Sequence, residues 1–200
     1  NKCGKPILNF NFERESLITC NYCYNKTFYF DKVISCIAYD EISKKLILDY
    51  KYKNKIYLCR YIVNLMKEKF ILENIKADYI LYVPLHKKRL KKRGFNKSER
   101  IASRLSEVVD IPVLDCIERV KNTKRLYNMN KINREKELKN GFSIKENINL
   151  IKNKSIILID DIFTTGSTVN EISKILKING VNHICVFTLL TTYVDTYAKE

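Results

Sequence analysis

The sequence predicts an α/β fold, a mostly parallel sheet flanked by helices, with a small cysteine-bearing appendage at its N-terminal end. Three observations carry this. First, Ile156-Ile157-Leu158-Ile159 is an apolar, largely β-branched run of the kind buried on both faces of a parallel sheet, and Val169, Ile172, Ile175 and Leu176 then recur at helical spacing up to Asn179-Gly180. Second, Tyr79 to Val83 and His183 to Leu190 are further apolar runs, separated by segments of helical period. Third, residues 1–30 differ from the rest: they show little helical periodicity and contain Cys3 and the pair Cys20-Asn21-Tyr22-Cys23.

Length and composition set the frame. Two hundred residues suit one domain with a small appendage, and an apolar fraction of 46% is enough for a sizeable core. Nothing approaches the run of about eighteen apolar residues that spans a membrane, so no membrane insertion is expected. The opening Asn-Lys-Cys-Gly-Lys-Pro has no apolar h-region of a secretory signal. With seven cysteines, an odd number, the expectation is a reducing, cytoplasmic compartment in which thiols serve metal rather than disulfides. The net charge of +15 has two readings, a composition rich in Lys, Asn and Ile or an anionic partner.

Taken in order, the chain opens on the cysteines. The C-x-x-C spacing of Cys20 and Cys23 lets two thiolates share one zinc ion. Cys3-Gly4-Lys5 reads as the second half of a similar knuckle, cut at its start, with its other cysteine just before Asn1. Residues 1–30 are therefore expected to form a zinc knuckle with Cys3, Cys20 and Cys23 as ligands and residues 31–200 the main domain. Cys36 is an alternative fourth ligand, but it lies in Val33 to Tyr39, which reads as a strand; unliganded thiols are the plain alternative.

Ile42, Leu46 and Tyr50 mark a helix, and Leu58, Ile62, Leu65, Met66 and Phe70 mark a second over about 56–70. Tyr79 to Val83 is a buried strand ending at Pro84. A basic segment follows, with six Lys or Arg among the eight residues from His86 to Arg93. It is either a solvated charge run or a ligand loop, since open α/β sheets bind ligands at the carboxyl ends of their strands. Ser98 to Val109 is helical, with Ile101, Leu105, Val108 and Val109 inward. A short strand is expected near 113–115. Residues 119–142 are basic and poor in apolar residues, and read as a hood that excludes water on closure.

After the strand at 156–159 come Asp160-Asp161-Ile162-Phe163 and then Thr164-Thr165-Gly166-Ser167-Thr168. Hydroxyls and backbone N–H groups at a helix N-terminus suit a phosphate. Two carboxylates would repel it, so they suit ribose hydroxyls or a hydrated divalent cation. A dinucleotide loop is not the expectation, because Gly166 is the only glycine in the turn and G-x-G-x-x-G is absent.

The thirteen residues from Ile156 to Thr168 resemble, at every position, the PRPP-binding motif of type I phosphoribosyltransferases. The resemblance implies that fold, complete with its hood. It implies that Asp160 and Asp161 are the catalytic pair that meets the ribose 2′ and 3′ hydroxyls, and that Thr164, Thr165, Gly166, Ser167 and Thr168 wrap the 5′-phosphate. It also implies that Lys87, Lys88, Arg89 and Arg93 hold the pyrophosphate, and that Mg²⁺ accompanies PRPP, mostly through water. No residue stands out as a general base.

Val83-Pro84-Leu85 with Arg93-Gly94-Phe95-Asn96 is similar to the ComF competence family, in which R-G-F-N is followed by Gln; here Lys97 takes that place. The family's hood pattern is matched by Arg119, Thr123, Arg134 and Phe142, while Leu126, Met129 and Glu137 depart from it. This resemblance implies a PRPP-binding protein of DNA uptake, with competence machinery such as a DNA translocase as partner. The alternative is an enzyme transferring ribose 5-phosphate from PRPP to a nucleobase or amine. A transcription regulator on the same fold has no support, since no helix-turn-helix precedes the domain. The charge, the segment 86–93 and the knuckle with Tyr22 and Tyr24 also predict weak, salt-sensitive binding of single-stranded DNA.

Overall fold

The computed structural model describes residues 2–6, 20–24, 26–52, 57–123, 131–145 and 148–193. Among these, the main sheet has four strands, all parallel, in the order β1-β6-β5-β2. They are β1 (Lys32–Ala38), β2 (Tyr79–Tyr82), β5 (Ser155–Phe163) and β6 (His183–Thr191). A second, antiparallel pair joins β3 (Ile117–Arg119) to β4 (Phe142–Ile144). The helices are α1 (Asn21–Tyr24), α2 (Glu41–Tyr52), α3 (Leu58–Leu72), α4 (Lys87–Arg93), α5 (Lys97–Val109), α6 (Lys131–Leu138) and α7 (Ser167–Ile178).

The alternation of side chains along β5 explains the layers. Ile156 and Leu158 point to one face, where α7 packs with Val169, Ile172 and Leu176. Ile157 and Ile159 point to the other, where α3 brings Ile62, Val63 and Met66 and α5 brings Ile101 and Leu105. Both faces are covered, as a parallel sheet requires, which is why these strands are continuously apolar. Cys3, Cys20 and Phe28 belong to the α7 side.

Several elements differ from the sequence expectation. The strand near 113–115 reduces to one bridge, Ile80 to Val113, with Pro112 directly before it unable to donate to a ladder. The basic segment after β2 is helical over Lys87–Arg93, not a loop. Ile42 is 82% exposed, because it sits in the first turn of α2 beside a capping box: Ser43 N donates to Asp40 Oδ1 (2.7 Å) and Asp40 N to Ser43 Oγ (2.8 Å). Val108 is 41% exposed; Ala102 takes the inward position instead. Cys36 packs on the α3/α5 side of the sheet, opposite the knuckle, so it is not a fourth ligand for Cys3, Cys20 and Cys23. The departures at Leu126 and Met129 lie outside the described residues.

Asp31 ties β1 to the start of β6. Its Oδ2 accepts from Ile184 N and from Lys177 Nζ, both at 2.8 Å. Burial raises its pKa, but the Lys177 ammonium and the Ile184 N–H outweigh burial and hold the carboxyl below its ordinary 3.8. A depressed carboxylate stabilises the fold above its unfolded pKa and loses that contribution as pH falls through the folded value. Asp31→Asn is thus expected to lower stability at neutral pH, with the gap to the wild type closing only below about pH 4; urea melts at a series of pH values measure it. A gap unchanged between neutral pH and pH 3 would contradict this.

Candidate functional site

β2 ends at Tyr82, opposite Ile159, whereas β5 runs on to Phe163. Asp160 and Asp161 therefore stand at the carboxyl edge of the sheet, where β5 has lost its β2 neighbour, and both are half-buried. Asp160 Oδ1 accepts from Asp161 N (2.8 Å) and from Ser98 Oγ (3.4 Å). The chain then turns through Thr164 and Thr165 into α7. Gly166 is the N-terminal cap residue with φ of +67°, a left-handed conformation that favours glycine. A Cβ there would also sit 2.8 Å from the Phe163 ring. Thr165 Oγ1 and Ser167 Oγ bond each other at 2.9 Å, holding both hydroxyls at the mouth of the helix.

These residues line a cavity of about 280 Å³ with Arg89, Arg93, Asn96, Lys97, Ser98, Arg119 and Arg134. Asp160, Asp161 and Thr164 to Thr168 are all in its wall. Of the four basic residues expected there from α4, only Arg89 and Arg93 line it. They are four apart and share one face of the helix, whereas Lys87 and Lys88 point outward and are exposed. The loop assumed for this segment has no such facing; the helix does. Its start is capped by His86, whose Nδ1 accepts from Lys88 N (3.3 Å), and its end by Gly94 at φ +78°.

The residues that follow were not singled out as site residues. Asn96 caps α5 by accepting from Ser98 N (3.1 Å), and its Nδ2 donates to Val83 O (3.0 Å), so it pins the start of α5 to the end of β2. Lys97 is buried in the cavity wall, with its ammonium 6.0 Å from the Tyr50 ring. The signals for these two residues were their place after a strand end and the Arg93-Gly94-Phe95-Asn96 motif, neither of which assigns them a contact. From the hood, Arg134 Nη1 donates to Thr164 Oγ1 (3.1 Å), and Arg119 bonds Thr123, whose carbonyl accepts from Arg89. Arg119 is 7% exposed, and its Nε is buried without a hydrogen-bond partner among the described residues. Burial, and then the neighbouring Arg89, push its pKa down to about 10 against the opposing pull of Asp160 and Glu137. The cavity wall thus combines the buried Arg119, the half-buried Arg89 and Arg134 and the exposed Arg93 with two carboxylates. Arginines of this kind can pair with phosphate oxygens, and carboxylates can accept from hydroxyl groups.

The cysteines form a second centre. The Sγ atoms of Cys3, Cys20 and Cys23 lie within 4.8 Å of one another, and Cys3 and Cys20 are buried. Thiolates on one tetrahedral zinc ion, with Zn–S near 2.3 Å, stand about 3.8 Å apart, so the three fit a common metal with little movement. Gly4 turns the chain at φ +58° so close to β1 that a Cβ would come 2.2 Å from Val33 O. Burial pushes the Cys3 thiol up to about 12. Tyr22, between the cysteines of the pair, does not stand out as a free stacking platform: it is half-buried, stacked on Phe28 at 6.1 Å, with the Lys26 ammonium 3.1 Å from its ring centre. The Tyr24 side chain lies outside the described residues. Among those residues no helix is long and apolar enough to cross a membrane.

Comparison with known proteins places the chain in a family. The model of the phosphoribosyl transferase domain family matches residues 90–200. Competence protein F of Haemophilus influenzae is 32% identical, over 85% of this chain and 77% of its own length. The DNA utilization protein YhgH of Escherichia coli K12 is 25% identical, over 96% of this chain and 83% of its own. Competence protein ComFC of Streptococcus pneumoniae is 28% identical, over 76% and 65% respectively. With the match to residues 90–200 and the likeness to the Haemophilus protein along most of both chains, this chain belongs to the phosphoribosyl transferase domain family, in its competence protein F group.

Proposed function

We propose that the chain is a PRPP-binding, phosphoribosyltransferase-like protein that acts in DNA uptake. The observation that carries the reading is one cavity in which Asp160-Asp161, the Thr164 to Thr168 turn and Arg89, Arg93, Arg119 and Arg134 face each other. In this reading the two carboxylates bind the ribose hydroxyls, the turn and the α7 N-terminus bind the 5′-phosphate, and Arg89, Arg93 and Arg119 bind the pyrophosphate. Mg²⁺ supplies charge neutralisation for the phosphorylated ligand, with Asp160 and Asp161 as the residues that would hold it through water. Zn²⁺ is the structural metal of the knuckle at residues 1–30, held by Cys3, Cys20 and Cys23, and residues 31–200 form the PRPP domain. Calorimetric titration with PRPP and Mg²⁺ tests this: saturable heat with about one site per chain is expected, and no heat would overturn it. Metal analysis is expected to find about one zinc per chain.

The role in DNA uptake draws on the relatives named competence protein F, ComFC and DNA utilization protein. Single-stranded DNA and the competence machinery are the partners in that role, in the cytoplasm. The exposed side of α4, with Lys87, Lys88, Lys91 and Lys92, presents positive charge outside the cavity, which lets phosphate backbones and PRPP bind without sharing these lysines. Lys87→Glu/Lys88→Glu is expected to weaken oligonucleotide binding about tenfold or more and to flatten its salt dependence between about 50 and 200 mM, while PRPP affinity holds; fluorescence anisotropy reads it. Unchanged DNA affinity would remove this face from the reading.

A further inference from the structure

The cysteine centre and the phosphate turn are joined by a continuous ladder of aromatic rings. Tyr22 sits between Cys20 and Cys23, in α1. Its ring stacks on Phe28 at 6.1 Å, Phe28 stacks on Phe30 at 4.7 Å, and Phe30 meets the Phe163 ring edge-on at 5.9 Å. Phe163 ends β5 and lies directly beneath Gly166, whose missing Cβ would come within 2.8 Å of its ring and 3.8 Å of Phe28. Tyr22 Oη reaches Thr164 O at 3.5 Å. Two further ties flank the ladder. Lys5, two residues after Cys3, donates to the Thr192 carbonyl (3.3 Å) with its ammonium 5.6 Å from the Phe163 ring, and Tyr29 N donates to Asn170 Oδ1 (2.7 Å) in the first turn of α7.

We propose that Tyr22 and Phe28 are positioning residues of the phosphate turn, and that metal held by Cys3, Cys20 and Cys23 sets the affinity of that turn by fixing them. This rests on the reading of Thr164 to Thr168 as the 5′-phosphate turn. The physical reason is the shortness of the helix that carries the tyrosine. α1 is four residues long, too short to be stable alone, and Cys20 and Cys23 flank the tyrosine. Metal therefore supplies the order of this segment, as it does in small cysteine-ligated folds. Close-packed rings transmit that order, because a ring that shifts leaves either a void or a clash. The turn on top has no slack, since a Cβ at Gly166 would lie 2.8 Å from the Phe163 ring and 3.8 Å from that of Phe28. When metal leaves, Tyr22 loses its fixed place, the floor under Gly166 loosens, and the turn pays the cost of ordering only when phosphate binds.

The linkage is reciprocal, so ligand must also tighten metal by the same factor. The test uses the intact protein in its zinc-loaded form and after removal of zinc with a zinc-selective chelator, itself removed by desalting before Mg²⁺ is added. Calorimetry with PRPP and Mg²⁺ is expected to show affinity weakened by about tenfold or more on stripping, within the usual range of coupled sites. Saturating PRPP is expected to slow zinc release to a chromogenic chelator. Tyr22→Ala keeps all three cysteines: it should retain zinc stoichiometry, bind PRPP more weakly when loaded, and show no ligand effect on zinc release. Tyr22→Phe keeps the ring and should behave as the wild type, which a need for the hydroxyl alone would not allow. Equal PRPP affinity in loaded and stripped protein, or a Tyr22→Ala variant with wild-type affinity and linkage, overturns the proposal while leaving PRPP as the ligand. No PRPP heat from the loaded wild type overturns both. If stripping unfolds the chain, the Tyr22→Ala and Tyr22→Phe pair still decides.

Discussion

Asp160→Asn/Asp161→Asn is expected to reduce the affinity for PRPP with Mg²⁺ by about a hundredfold or more, while the melting temperature of the unliganded protein hardly moves. A hydrogen bond to an ionised partner is worth about 1.5–3 kcal/mol, and two such bonds to ribose hydroxyls sum to about 3–6 kcal/mol. Each 1.4 kcal/mol or so is a factor of ten. The fold asks less of these carboxylates. Asp160 accepts from its neighbour's N–H and from Ser98, and an asparagine oxygen accepts both. Calorimetry and a thermal melt on the same preparation separate the two effects. Unchanged affinity would remove the carboxylates from the site, and a collapsed melt would make them structural.

The largest loss of stability is expected from Phe187→Ala. Phe187 is fully buried in β6, paired with Ile159 of β5 on one side and Ile34 of β1 on the other, and packed in the core shared with α3 and α5. Removing a buried phenyl ring costs about 3–5 kcal/mol through lost transfer energy and the cavity left behind. At about 2–4 °C per kcal/mol for a chain of this size, the melting temperature should fall by about 6–20 °C. Differential scanning calorimetry reads it directly. A fall of less than about 3 °C would mean that the sheet closes over the gap, and that the two helices are not held at fixed distance by this ring.

What could be read from the sequence followed how local the signal was. The strand, acidic pair, turn and helix from Ile156 to Ile178 are contiguous, and each part has its own mark: a β-branched run, paired carboxylates, hydroxyls with one glycine, and a 3.6-residue repeat. The basic segment after β2 was harder. Leu90 is its only apolar residue, so no stripe betrayed a helix, and without the helix nothing separated Arg89 and Arg93 from Lys87 and Lys88. The three-residue strands Ile117–Arg119 and Phe142–Ile144 are too short for an alternation to register, and they pair across the hood, a contact no local pattern encodes. Asn96 had a recognisable capping residue type, but its bond to Val83 O depends on tertiary placement. Which face Cys36 occupies was likewise a question of sheet register, and pairing of Ser35 with Thr188 places Cys36 on the far side from the knuckle.

The sheet order has a consequence for how the protein is made. Among the described residues β1 has β6 as its sole neighbour in the main sheet, so Ser35 waits for Thr188, 153 residues later, before its strand is paired. At synthesis rates of about 5–20 residues per second, that interval is about 8–30 s. β2 waits in the same way for β5, and β5 for the last strand. The ribosome therefore releases two sticky strands long before it supplies the segments that cover them, and β6 joins β1 to the rest of the described sheet late. Contacts of such long range make folding slow for the chain's size. A chain whose translation stalls before His183 would hold every described helix and still leave β1 unpaired, exposing apolar strand to aggregation until β6 arrives.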